Sequence, residues 1–380
     1  MQPEIKLASV EDQKSIWDLI KSAYKDFSHH ILPDRWLWQY VDNPHINMKD
    51  NSLPVLLATV NGTAVGQACV IFNKMKVDDQ IHTVTWGADF IVMPECRGMG
   101  LGKKLMKVEI EHFKFMMGSH MPPVTRNIAA QLGYKTLDAA YVYYRPVKFS
   151  RPFISDSLFN FAKKFIKSKE LRRSLCQNFI TVSLITAVIN RLTAIRDIFE
   201  KLKIKKTSTV MLQVDEFDKR IDELWEMTNH QYKIIVKRDC EHLNWRYSSK
   251  SGLNYKKFIA LRDGAIKGYV ILRKAEAGEI NFGKIVDIYT SREDRKTIHD
   301  LIRYSINYFG RDVLMIDCMS SIKEYAEVLR KNGFYRAETV IPMYFCEDIN
   351  IAAKLKEFKN NCFFTSGDHD RDQYTPYHSI

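Results

Sequence analysis

The chain has 380 residues, carries a net charge of +12, and is 46% hydrophobic and 12% aromatic; it is long for one domain and apolar enough for packed cores, which excludes a disordered chain. Its seven cysteines are odd in number and scattered, without a C-x-x-C pair, so neither a disulfide framework nor a zinc site is expected and a reducing cytoplasm is favoured. The opening residues read as no signal segment, and no uncharged apolar run approaches the roughly 20 residues that span a bilayer.

In chain order, a short strand at Ile5 to Ala8 precedes an amphipathic helix with Ser9 and Asp12 in a capping-box-like start and Ile16, Trp17, Ile20 and Tyr24 on its stripe. A helical turn through Trp36-Leu-Trp-Gln-Tyr stops at Asn43-Pro44. Strands Val55 to Val60 and Ala64 to Phe72 flank Asn61-Gly62, a strong hairpin signal. A strand from His82 to Met93 is closed by Pro94, which has no N–H to donate. Gly98, Gly100 and Gly102 follow at alternate positions, then a helix with Leu105, Met106, Ile110 and Phe113 on one face. Alternate glycines let successive amides converge at the positive end of a helix, a cradle for phosphate or pyrophosphate. Arg97 and Lys103 add charge at its two ends. A short strand at Lys114 to Ser119, a helix from Pro122 to Gly133 and a strand at Tyr141 to Val147 complete this part.

Residues 207–347 repeat the pattern. Trp245 and Tyr247 echo Trp38 and Tyr40, and the turn Asp263-Gly264 echoes Asn61-Gly62. Four landmark pairs, Trp38 to Trp245, Gly66 to Gly268, Asp89 to Asp287 and Gly133 to Gly333, are offset by 207, 202, 198 and 200 residues. Nearly constant spacing in constant order argues for an internal duplication. After Asp287, however, no glycine loop follows, and Glu293 and Asp294 would repel a pyrophosphate. Only the first copy is expected to bind a phosphate-bearing cofactor.

Between the copies, residues 148–206 hold 14 Lys and Arg against 4 acids, a difference of +10. The segment reads as a basic helical linker with a solvated face, or as an element that lies on anionic membrane or recruits an acidic partner. No nucleic-acid motif accompanies the charge. Residues 363–380 read as a polar, disordered tail.

Asp89 to Leu105 resembles the acyl-CoA-binding core of the GNAT N-acetyltransferases, whose signature is R/Q-x-x-G-x-G/A after a strand. The resemblance implies an α/β (α+β) fold of two tandem GNAT-like units, each a mixed, mostly antiparallel sheet with flanking helices. The expected division is 1–148 (acyl-CoA binding), 149–206 (basic helical insert), 207–347 (degenerate copy) and 348–380 (a short helix and the tail). Implied as well is transfer of an acyl group from acetyl-CoA, or another acyl-CoA, to a small-molecule primary amine, without a metal. Ile91, Val92 and Met93 would pair with the pantetheine arm, and Arg97, Gly98, Met99, Gly100, Leu101, Gly102 and Lys103 would take the pyrophosphate. Asp89 is the expected general base, ahead of His82 and His120; its alternative role is to structure the strand. The usual tyrosine that protonates the leaving thiolate is replaced by Ala129, and in the second copy by Leu329, leaving Tyr134, Tyr141, Tyr143 and Tyr144 as substitutes. The Trp-x-Tyr segments pack in the core or stack on a ring substrate, the latter pointing to an amino sugar of surface-polysaccharide metabolism. Two alternatives stand beside this reading. One is an aminoacyl transferase of the peptidoglycan-branching type, which needs no pyrophosphate loop. The other is a non-catalytic acyl-CoA sensor or membrane-associated binding protein.

Overall fold

A computed structural model describes residues 3–25, 31–48, 51–163, 165–176, 178–202, 208–277 and 280–373. The first part runs β1 (Glu4–Ser9), α1 (Gln13–Tyr24), α2 (Asp34–Tyr40), β2 (Ser52–Val60), β3 (Thr63–Val77), β4 (Gln80–Val92), α3 (Leu101–Phe113), β5 (Phe115–Gly118), α4 (Pro123–Gln131), β6 (Lys135–Thr136) and β7 (Ala140–Pro146). The insert holds α5 (Arg151–Ala162), α6 (Lys169–Cys176) and α7 (Phe179–Leu202). The order then recurs as β8 (Val210–Val214), α8 (Arg220–Thr228), β9 (Ile234–Val236), α9 (Cys240–Arg246), β10 (Tyr255–Arg262), β11 (Ala265–Ala277), β12 (Ile280–Thr290), α10 (Arg295–Phe309), β13 (Met315–Ser320), α11 (Lys323–Lys331) and β14 (Tyr335–Val340). The last elements are β15 (Met343–Cys346), α12 (Ile349–Glu357) and β16 (Cys362–Phe363).

Two sheets result, in the order β1-β2-β3-β4-β5-β15-β6 and β14-β7-β13-β12-β11-β10-β8. Most neighbours are antiparallel; β4–β5 and β12–β13 are parallel, each joined through a helix, as parallel pairs require. The sheets exchange strands. β7, from residues 1–148, lies between β13 and β14, and β15, from the second stretch, lies between β5 and β6. β7 alternates Ala140, Val142 and Tyr144 with Tyr141, Tyr143 and Arg145, so it can bury residues on both faces inside another sheet.

The duplication is visible where the copies meet. Trp38 and Trp245 stack at 5.3 Å, and each indole Nε1 donates to the other's carbonyl oxygen, at 2.8 and 3.1 Å. Tyr40 donates to Asp89 at 2.7 Å, and Tyr247 donates to Asp287 at 3.1 Å. Trp36, Trp38, Tyr40 and Tyr247 are fully buried. Of the two roles open to the Trp-x-Tyr segments, the structure gives them core packing.

The tail departs from expectation. Residues 363–373 are ordered into two 3-10 turns and are largely buried. The reason lies in two arginines that the sequence pattern could not pair. Arg238 meets Asp368 at 2.8 Å, and Arg246 meets Asp372 at 2.6 Å, all four side chains at most 4% exposed. A buried guanidinium without a carboxylate costs several kcal/mol, so the polar tail is drawn inside. Residues 374–380 lie outside the described residues.

Candidate active-site cleft

β4 ends at Val92, and Pro94 opens a single 3-10 turn. Gly98 and Gly100 take left-handed backbone angles, φ 78° and 77°, which an L side chain rarely adopts. Nothing lies within 4 Å of where a Cβ would stand on either, so the loop's outer face is open. Gly102 is different: a Cβ there would stand 3.7 Å from the Phe90 ring and 3.9 Å from Val92, where helix meets strand. Gly100 caps α3 but has no side chain with which to do so. The amides of Leu101, Gly102 and Lys103 accordingly find no acceptor among the described residues. Free amides at a helix mouth attract an anion. Met99 stands two-thirds exposed at the loop tip. Lys103 donates to Gln131 at 2.9 Å, and Arg97 folds back, its Nε donating to the Val92 carbonyl at 3.0 Å.

Beside this loop the sheet opens. β4 and β5 pair only at Thr85↔Met116 and Trp86↔Met117. Beyond that point β4 bulges: Ala88 faces Cys69 and Ile91 faces Gln67, leaving Asp89 and Phe90 opposite Ala68 alone. Asp89 adopts φ 43°, and such a bulge bends its strand. The strands part around a cavity of about 860 Å³, walled by Met106, Met116, Met121 and the start of α4. The Met93 amide donates to Val65; alternation along a strand turns the Ile91 amide the same way and leaves that of Val92 facing the gap. Of the three strand residues expected to meet pantetheine, only Val92 turns its amide away from β3, and none of the three lines the cavity.

The titratable groups sort differently from the sequence reading. Asp89 accepts both oxygens' worth of Arg35 Nη2, at 2.9 and 3.1 Å, as well as the Tyr40 hydroxyl, and its side chain is 1% exposed. A carboxylate so occupied holds the bulge in place, and the geometry favours the structural role open to Asp89 over that of the base. His82 pairs with Met75 near the far end of β4 and does not line the cavity. His120 does, but Arg371 lies 2.9 Å from its Nε2, and desolvation together with His369 and Arg371 lowers its pKa. Tyr141 and Tyr143 are absent from the lining, and Tyr144 donates to Glu338. Tyr134 lines the cavity, and burial raises its pKa, so its hydroxyl stays protonated.

The group the sequence reading missed is Glu109. It is 4% exposed, lines the cavity, and has no hydrogen-bond partner among the described residues. Its Oε1 lies 3.9 Å from the point where a Cβ on Gly87 would stand, beside the last β4–β5 pair. Burial pushes its pKa up to about 8. The signal was present: the spacing 105, 109, 113 puts this carboxyl on the helix's apolar face.

The second copy supplies a control. Leu105 Cδ1 and Leu301 Cδ1 sit 3.3 and 3.1 Å from where a Cβ on Gly66 and on Gly268 would stand, which aligns α3 with α10. Glu109 then corresponds to Ser305, whose hydroxyl is satisfied by the Leu301 carbonyl at 2.7 Å. Asp294 caps α10 through the Thr297 amide at 3.0 Å. Tyr325, at the position of Thr125, fills the gap; its hydroxyl accepts from the Thr290 amide and donates to the Thr290 carbonyl.

Residues 14–121 match the family model for acetyltransferases of the GNAT family. No curated protein matches the chain in sequence. Among solved structures the chain resembles a GCN5-related N-acetyltransferase from Anabaena variabilis, with a TM-score of 0.58 at 12% identity, covering 92% of this chain and 74% of that one. It also resembles Saccharomyces cerevisiae N-myristoyltransferase with bound myristoyl-CoA (TM-score 0.55, 10% identity, 91% and 79% covered). A third is a probable N-acyltransferase from Enterococcus faecalis (0.54, 12%, 90% and 72%). At these identities the likeness is one of fold, and it extends over both copies. Among the described residues no cluster of three or more His, Cys, Asp or Glu could hold a metal ion.

Proposed function

With residues 14–121 forming a GNAT-family acetyltransferase domain, we propose that the protein is an N-acyltransferase that moves an acyl group from acetyl-CoA, or another acyl-CoA, to a primary amine. One observation carries this reading: the cavity is lined by Gly87 to Phe90 of β4 and by Met106 and Glu109 of α3, the helix whose first amides, at Leu101 to Lys103, find no acceptor among the described residues. In this reading the amides of Leu101, Gly102 and Lys103 hold the pyrophosphate, and the Val92 backbone orients the pantetheine arm. Bound there, acyl-CoA supplies a thioester as the acyl donor. Glu109, ionised, takes the proton that the attacking amine must lose. In this reading the Tyr134 hydroxyl, which lines the same cavity, protonates the departing thiolate; a thiol of ordinary pKa also leaves unaided.

The acceptor is a primary amine of small-molecule size. The amino-sugar assignment drew on Trp and Tyr rings stacking on a substrate, and those rings are buried, so amino sugars enter an acceptor screen as one class among several. The decisive experiment is calorimetric titration with acetyl-CoA and with free CoA, followed by thiol release in the presence of an amine panel. Binding at one site per chain and turnover with an amine support the proposal. Binding without turnover leaves a sensor, and no binding removes the cofactor assignment.

A further inference from the structure

α7 is a 24-residue helix turned inside out. Ile180, Leu184, Val188, Leu192, Ile195 and Ile198 recur every three or four residues, which places them on one face. Each is between 48% and 68% exposed. The opposite face is the polar one, and it is the face that docks. Asn190 pairs with both backbone groups of Phe149, at 2.7 and 3.0 Å. Asp197 collects Arg145 at 2.8 Å, Arg196 at 2.9 Å and Arg311 at 3.2 Å. A solvated helix buries its apolar stripe and shows its polar one; α7 does the reverse over about 27 Å of its length.

Two further facts choose the occupant. The insert around the stripe is strongly basic, with 14 Lys and Arg against 4 acids over residues 148–206. Arg151, Lys163, Lys169, Arg173 and Arg191 are exposed on α5, α6 and α7 and the turns between them, and α5 and α6 both pack on α7. An aliphatic face rimmed by cations is the signature of a helix lying in the interface of an anionic bilayer. By length and composition Phe179–Ile198 could also cross a membrane, at a mean hydropathy of 1.4. Asn190 and Asp197 argue for lying flat: crossing would strip both from partners in the protein body and place an ion-paired carboxylate in hydrocarbon.

We propose that α7 docks the enzyme on an anionic membrane surface, with its aliphatic face in the headgroup–acyl boundary and the insert's Lys and Arg over the lipid phosphates. This surface is independent of the acyltransferase reading and stands or falls separately.

The test uses the full chain and vesicles of phosphatidylcholine with and without about a third phosphatidylglycerol, read by co-sedimentation. Binding is expected to the anionic vesicles, at least tenfold weaker without phosphatidylglycerol, and weaker at 0.5 M than at 0.1 M salt. The double variant Leu184→Glu, Leu192→Glu changes only exposed positions; it should keep the wild-type circular dichroism and acyl-CoA titration and lose vesicle binding by at least tenfold. Failure of the wild-type protein to sediment with anionic vesicles overturns the proposal. So does sedimentation that the double variant retains. A concentration-dependent dimer in analytical ultracentrifugation, abolished by the same variant and without vesicle binding, would assign the face to a second copy of the chain instead.

Discussion

The two copies keep the same frame and differ in what fills it. In both, a bulged strand parts from its parallel neighbour, a glycine admits a leucine of the following helix, and an aspartate at the bulge accepts a tyrosine hydroxyl. In the second copy three groups at that place are satisfied from within: Asp294 caps the helix, Tyr325 takes both backbone groups of Thr290, and Ser305 bonds back to its own helix. In the first copy the corresponding groups are left open, with no cap side chain at Gly100, Thr125 too short to fill the gap, and a lone buried carboxyl at Glu109. Buried polar groups are normally satisfied. Glu109 is the buried polar group left open in the first copy, and the second copy has the satisfied Ser305 hydroxyl in its place.

The strongest way to break this comparison is to convert one copy into the other. Thr125→Tyr should fill the first gap as Tyr325 fills the second and lower acyl-CoA affinity at least a hundredfold by calorimetry. Gly100→Glu should do the same at the helix mouth, by placing a carboxylate and a strained backbone where the anion belongs. Undiminished affinity in both variants would move the cofactor elsewhere.

Glu109→Gln should cut kcat by about a hundredfold with KM little changed. In the wild-type protein the base must be ionised, so kcat should rise with pH and level off above about 8; the variant's profile should lose that step. The same substitution has a stability signature. A carboxyl whose pKa is raised in the folded state contributes stability below its unfolded value, near 4.5, that is lost as pH rises through 8. Glu109→Gln should thus be more stable than wild type at pH 9, on the order of 1–3 kcal/mol by urea denaturation, and the gap should close toward pH 5. A variant that is less stable at pH 9 would contradict the buried, unpartnered placement.

Asp89→Asn separates scaffold from chemistry. Weakening its buried pair with Arg35 should cost about 2–3 kcal/mol of stability, while kcat per folded molecule stays within about threefold. A hundredfold loss of kcat in a stable variant would restore Asp89 as the base. The smallest effect is expected at Tyr325→Phe, about 1–2 kcal/mol, since the Thr290 amide loses its acceptor and its carbonyl keeps only the Tyr232 hydroxyl, at 3.4 Å. No second acyl-CoA site should appear, because Asp294 still caps α10.

Much of the site was legible because its signals are local. The strand stop at Pro94, the alternate glycines and the start of α3 lie within a dozen residues, and backbone sterics decide them wherever they occur. The duplication was legible too, in Trp38 and Trp245 and the two aspartates. The partners of Asp89 were not legible, because Arg35 and Tyr40 reach it from another element. Glu109 was passed over although its helical spacing betrayed it, since nothing in that spacing says that no partner would arrive.

The sequence by itself determined the elements, their order, the helix mouth and the asymmetry of charge around it. Only the tertiary structure decided that β7 and β15 change sheets, that residues 363–373 run through the interior, and that α7 turns its aliphatic face outward. These depend on contacts between residues far apart in the chain. Arg238 with Asp368, Arg145 with Asp197 and the stacked Trp38 and Trp245 each carry a pairing energy that no local propensity encodes. A polar tail with two aspartates reads as solvated until the chain brings two buried arginines to meet it.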